Sequence, residues 1–218
     1  MSVDCPSRFW RKTRSHKPEG DSCGSKAVDA DDAGNGCRGA DPNRNWDIHW
    51  QDLLSSSNNS WDEAYRGTRP FSEVETRNIR DFWWKHKKDI IFLDSIHSSG
   101  SLILFPNGFS KCENVDENGE NGDCIDKPDN LDALVEIAKV GNAALKAEGG
   151  KEYEMILCKC GQGLHSTSGR AIDWANSVAK IPFTFTLELP PPRPNSKLKR
   201  FHFREDKIIP TGKEVWAF

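Results

Sequence analysis

The chain has 218 residues, of which 36% are hydrophobic and 29% charged, with a formal net charge of -3. Such a length and composition suit one α/β domain with a real core. The near balance of charge gives no basis for steering to nucleic acid or a membrane surface, and no apolar run reaches the roughly 18 residues of a transmembrane helix.

In chain order, residues 1–14 are polar and basic, with Arg8, Trp10, Arg11, Lys12 and Arg14, and lack the apolar core of a signal peptide. Residues 15–40 are rich in Gly, Ser and Asp and read as loop. In Asp41-Pro42-Asn43-Arg44-Asn45-Trp46 the proline holds Asp41 extended and fixes its own φ, so the side chains that follow point reproducibly. Ser72-Glu73-Val74-Glu75 is a capping-box pattern, and Ile79, Phe82, Trp83 and His86 recur at helical spacing. This predicts a helix over 72–88 packed by that face on a sheet.

Ile90 to Ile96 then forms a short apolar run ending on His97, with small residues and a second run, Leu102 to Phe105, behind it. The pattern predicts a buried central strand, a tight turn and another strand. His97 falls at the carboxyl end of its strand, where open α/β sheets place their chemistry. A histidine there serves either the chemistry or only the hydrogen bonding of the strand end. Residues 107–128 read as an acidic loop whose spacing does not fit an EF-hand. Asn130 opens a second helix with Leu131, Leu134, Ala138 and Leu145 on one face, ended by Gly149-Gly150. Met155 to Cys158 reads as a strand and Ser168 to Ala179 as a third helix. Ile181 to Leu189 alternates as a strand carrying Glu188, stopped by Pro190-Pro191-Pro192. Alternation of this kind predicts an α/β sheet with helices on its faces.

Of the seven cysteines, Cys112 and Cys124 bracket a Gly/Asn/acidic loop, and Cys23 and Cys37 bracket another. Both look like disulfide-closed loops. With the Asn58-Asn59-Ser60 sequon they favour an oxidising, secreted setting. Cys158-Lys159-Cys160 with nearby His165 lacks a second ligand pair and makes a poor metal motif.

His97 and Glu188 both end predicted strands, while Arg11, Asn43, Arg44 and His165 lie in loops. A histidine ligand, a carboxylate base and clustered arginines are parts for metal-assisted hydrolysis of an anionic substrate. Particular strings narrow this. Trp10-Arg11-Lys12-Thr13-Arg14, Asp41 to Trp46, Pro70-Phe71-Ser72-Glu73 with Glu75, and Ile96-His97-Ser98 occur in order. Phe105-Pro106-Asn107-Gly108, Ser168-Gly169 with Asp173-Trp174, Thr186-Leu187-Glu188-Leu189, and Ile208-Ile209-Pro210-Thr211 with Glu214-Val215-Trp216 follow. This series resembles the zinc metallocarboxypeptidases of the carboxypeptidase A/B family across nearly the whole chain.

The resemblance implies that residues 1–218 are part of a peptidase catalytic domain. Its fold is a mixed, mostly parallel twisted sheet with helices on both faces, incomplete at the N-terminus. It implies zinc as cofactor, peptide or protein C-termini as substrate, secretion, and a monomeric full-length form. His97 stands for a zinc-binding histidine. Glu188 stands for the catalytic glutamate and Arg11 for the arginine that polarises the scissile carbonyl. Asn43 and Arg44 stand for the grip on the terminal carboxylate, with Arg8 assisting in subsite binding. Ile172, with Thr186 and Leu104 in the same region, falls where members preferring basic termini carry an aspartate. This implies an uncharged pocket for apolar or aromatic terminal side chains, although an isoleucine there serves equally as core packing.

The chain departs from the family pattern in several places. The His-x-x-Glu pair expected upstream of Trp10 is absent, His165 stands for a substrate-covering tyrosine, and Pro190 for an arginine. The chain is expected to stop at Phe218, short of the family's final helix. Trp61 stands for the cysteine that pairs with the equivalent of Cys37 in vertebrate members, so Cys37 needs another partner, for which Cys23 is a candidate. A sheet with strands missing should show exposed edges and an uncovered apolar face, and should fold poorly alone. With two zinc ligands lacking, this polypeptide is expected to be inactive. The alternative is a non-catalytic relative that binds peptide C-termini or a protein partner.

Overall fold

A computed structural model describes residues 10–16, 38–114, 123–157, 166–191 and 204–218. Strands β1 (Phe92–Ser98), β2 (Leu102–Leu104), β5 (Glu154–Ile156) and β6 (Phe183–Leu189) form one sheet in the order β1-β6-β2-β5. β1 runs parallel to β6, β2 antiparallel to β6, and β2 parallel to β5. The sheet is therefore mixed and mostly parallel. Strands β3 (Cys112–Glu113) and β4 (Asp123–Cys124) make a separate small ribbon. In it Cys112 faces Cys124, and both cysteines are disulfide-bonded.

Helices cover both faces. They are α1 (Val74–His86), α2 (Leu131–Ala147), α3 (Ala171–Ser177) and α4 (Glu205–Ala217). On one face Leu134, Ala138 and Leu145 of α2 pack with Ile103, Phe185 and Leu187 of the sheet, joined by Val215 and Phe218 from the C-terminal end. On the other, Trp46, Phe71 and Trp174 form an aromatic cluster with Ala175 and Ile181, and Trp83 of α1 stacks on Trp46 at 4.8 Å. Side chains alternate across a strand. Phe185 and Leu187 of β6 join the first core, so Thr184, Thr186 and Glu188 look toward the second.

Two expectations need correction. The strand after Ile90 is not central but lies at the edge of the sheet, and β6 separates it from β2. Ile91 and Ile96 are exposed in consequence. The helix predicted over 72–88 exists as α1, but Ile79 and Phe82 of its supposed packing face are exposed at 44% and 59%. Trp83 alone of that set enters the core, because the described residues place nothing against the rest of the face. The segment through Ile208 and Trp216 forms helix α4, which ends at Ala217.

Candidate active site

The register between β1 and β6 sets Phe92 opposite Phe183 and, six residues on, His97 opposite Glu188. Ninety positions apart in sequence, the two side chains leave adjacent strands at their carboxyl ends, on the same face as Thr186. Leu104 of β2 lies opposite Thr186 on the other side.

The loop around Asp41 comes down beside them. Asp41 is 1% exposed, and its carboxylate accepts the Arg11 Nε–H at 2.8 Å and the Asn43 backbone N–H at 2.9 Å. Arg44 Nη1 lies 3.9 Å from the same carboxylate. Asp41 thus fixes three neighbours at once, as a short carboxylate behind a proline-stiffened turn can. Asn43 then spans two elements. Its Oδ1 accepts the Ala171 N–H at 2.9 Å, which ties the loop to the start of α3, and its Nδ2 lies 3.4 Å from His97 Nε2. Ser95 Oγ is 3.1 Å from the same nitrogen. Both neighbours can donate to an unprotonated Nε2.

Electrostatics favour that neutral imidazole. Burial, then the positive charges of Arg11 and Arg170, push the His97 pKa down to about 4, with Asp41 pulling the other way and Arg44 adding to the fall. Burial also lowers the pKa of Arg44, opposed by Asp41. His97 therefore keeps an unprotonated ring nitrogen at neutral pH, as a metal ligand must.

Gly169 makes the approach of Arg44 possible. Its φ is +66°, and a Cβ there would lie 2.2 Å from the Arg44 carbonyl oxygen. Its own N–H and C=O bond to Ile48 and Trp46. Gly169→Ala is expected to cost about 3 kcal/mol, from left-handed strain plus the clash. A urea melt checks this, and a loss under about 1 kcal/mol would mean that the loop can slide away at little cost.

Of the residues expected at the site, Arg11, Asn43, Arg44, His97 and Glu188 are brought into one neighbourhood. Thr186 and Ile172 are buried beneath it at 2% and 1%. Arg8 and His165, like Cys23, Cys37, Cys158 and Cys160, lie outside the described residues. Two participants went unread in the sequence. Asp41 looked like a turn former, yet an acid flanked by Arg11 and Arg44 was a legible signal. Arg170 looked like a helix start, and nothing local shows that its guanidinium is buried. Among the described residues no group of three or more His, Cys, Asp or Glu could hold a metal ion. His97 offers one nitrogen, and a catalytic zinc takes about three protein ligands. The described side chains therefore do not make a complete zinc site.

The chain is similar to known proteins. The zinc carboxypeptidase family profile matches residues 4–218. Carboxypeptidase B of Astacus astacus is 32% identical over 96% of this chain and 57% of its own length. Carboxypeptidase A2 of Rattus norvegicus is 33% identical over 96% of this chain and 41% of its own. The carboxypeptidase A crystal structure from Helicoverpa armigera superposes with a TM-score of 0.70 at 29% identity, covering 96% of this chain and 44% of that one. Bovine thrombin-activatable fibrinolysis inhibitor, in complex with tick carboxypeptidase inhibitor, gives 0.72 at 26%, covering 96% and 59%. The chain thus spans about half the length of the curated relatives it matches. With its sheet order, its paired strand ends and a family match over nearly every residue, the chain belongs to the zinc carboxypeptidases.

Proposed function

We propose that residues 1–218 form part of a peptidase catalytic domain that recognises the free C-terminus of a peptide and serves in releasing its last residue. The observation carrying this reading is the opposition of His97 and Glu188 at the rim where Asp41 gathers Arg11, Asn43 and Arg44. In this reading Arg44 and Asn43 hold the terminal carboxylate, through charge and an amide donor. Arg11, 40% exposed at its side chain, faces the substrate and donates to the carbonyl oxygen as charge develops there. Glu188 moves the proton from the attacking water to the leaving amine. Arg8 and His165 add further contacts to the peptide.

Zinc is the cofactor of this family, and among the described residues no group of three or more possible ligands joins His97 to hold it. The same ligand count favours the second reading: by itself, the 218-residue chain binds C-termini without turnover. In this reading the full-length form is a secreted monomer, and secretion fits the bonded Cys112 and Cys124 and the exposed Asn58 of the sequon. The terminal side chain is less simply read. Ile172 supports an apolar one, but Thr186 accepts a hydrogen bond from the buried Arg170 guanidinium.

The test is binding of a blocked dipeptide ending in Phe or Glu, free or amidated, together with zinc content and release of the last residue. Free carboxylates are expected to bind and amides to fail. Asn43→Ala should weaken binding about tenfold, by loss of a donor to a charged group. Equal binding of acid and amide would remove the reading. Stoichiometric zinc with turnover would remove the second reading in favour of a working hydrolase.

A further inference from the structure

Arg170 precedes α3, and its side chain is 3% exposed. Its Nη2 donates to Thr186 Oγ1 at 3.2 Å. Its Nη1 is buried with no hydrogen-bond partner among the described residues. The nearest acid, Asp173, stands 3.9 Å away, and its two oxygens accept the Gly108 N–H at 3.0 and 3.1 Å. Room for the guanidinium exists because residue 108 lacks a side chain: a Cβ there would lie 1.8 Å from Nη1.

The position of this unsatisfied donor is what matters. Ala171, the next residue, donates its N–H to Asn43 Oδ1. The guanidinium therefore hangs from the turn that anchors the proposed carboxylate grip. Thr186, which it touches, lies two residues before Glu188 on the same face of β6. A buried N–H without an acceptor is costly, and a carboxylate is the acceptor that matches a guanidinium in both shape and charge.

Resting on the C-terminal recognition proposed above, we propose that Arg170 makes the chain select peptides whose last residue is acidic, aspartate or glutamate. The backbone carboxylate goes to Asn43 and Arg44, and the side-chain carboxylate to the unsatisfied Nη1 of Arg170. An apolar terminal side chain leaves Nη1 with only the ion pair to Asp173 at 3.9 Å and no hydrogen-bond acceptor, and a lysine meets a like charge.

The experiment is fluorescence anisotropy on the full 218-residue chain. Three labelled peptides differ only in their last residue, Glu, Phe or Lys, each as free acid and as amide. The Glu peptide is expected to bind about tenfold tighter than the Phe peptide, with Lys weakest, as a hydrogen bond to a charged group allows. Arg170→Ala should erase the preference for Glu over Phe while binding of the Phe peptide persists. Arg170→Lys should keep a reduced preference in the same order. A Phe peptide bound as tightly as the Glu peptide, with amides still rejected, overturns this assignment and leaves C-terminal recognition standing. Failure to distinguish acid from amide overturns both. If Arg170→Ala does not fold, the ranking in the unsubstituted chain and in Arg170→Lys still decides.

Discussion

Replacing Asp41 with alanine is expected to destabilise the chain by about 3 kcal/mol and to abolish binding of free C-termini, through one cause. The carboxylate is almost wholly buried, and it receives Arg11, the Asn43 backbone N–H and the charge of Arg44. Removing one partner from a buried ion pair leaves the other charge uncompensated, which costs about 3 to 5 kcal/mol when burial is complete. Arg11 is 40% exposed and water screens it, so the lower end of that range applies. Arg44 is only 15% exposed at its side chain and carries most of the penalty. Arg44 also donates to Ser55 O and Asn43 O at 2.8 Å, so its position is held while its charge loses the carboxylate. Urea unfolding gives the stability and peptide anisotropy gives the grip. A loss below about 1 kcal/mol would show that the arginines are held by their backbone acceptors alone.

Asp94→Asn is expected to remove most of a stability loss that the unsubstituted chain suffers as pH rises. Asp94 points from β1 into an apolar groove of about 610 Å³, lined by Phe92, Ile96, Ile208, Trp216 and Phe218 among others. Its Oδ1 is buried without a hydrogen-bond partner. Burial pushes its pKa up to about 7, against the backbone N–H groups of Leu187 and Ser95, which favour the anion. The folded chain therefore holds a proton that the unfolded chain, with a carboxyl near 3.8, has already released. The contribution to stability is complete below the unfolded value and is lost as pH rises through the folded one. Between pH 5 and 8 the loss is about 3 kcal/mol, at 1.36 kcal/mol per pH unit over the part of that interval below the folded pKa. The quantity to read is the difference between the chain and its Asn variant at each pH. An equal slope for both would mean that the carboxylate is solvated in the folded state.

Much of the site was legible before any coordinates. Alternation through Thr184, Thr186 and Glu188 put the glutamate on the face opposite Phe185 and Leu187, and the apolar run before His97 put that histidine at a strand end. Strings such as Asp41 to Trp46 supplied the family. Burial was harder to read. The helical period of Ile79 and Phe82 correctly indicated α1, but a period shows only that a face is apolar, not that anything covers it. The run from Ile90 to Ile96 looked central for the same reason. A strand buried on both faces and a strand waiting for a neighbour have the same composition.

Local chemistry along the chain therefore determined the elements, the family and the chemical character of the groups at the site, because capping, alternation and turn residues act over a few positions. Only the tertiary structure decided that His97 stands opposite Glu188, that Asp41 organises two arginines, and that Arg170 is buried with an open donor. Each of these depends on strand register or on contacts between segments tens of residues apart, where a shift of one residue turns every side chain to the other face.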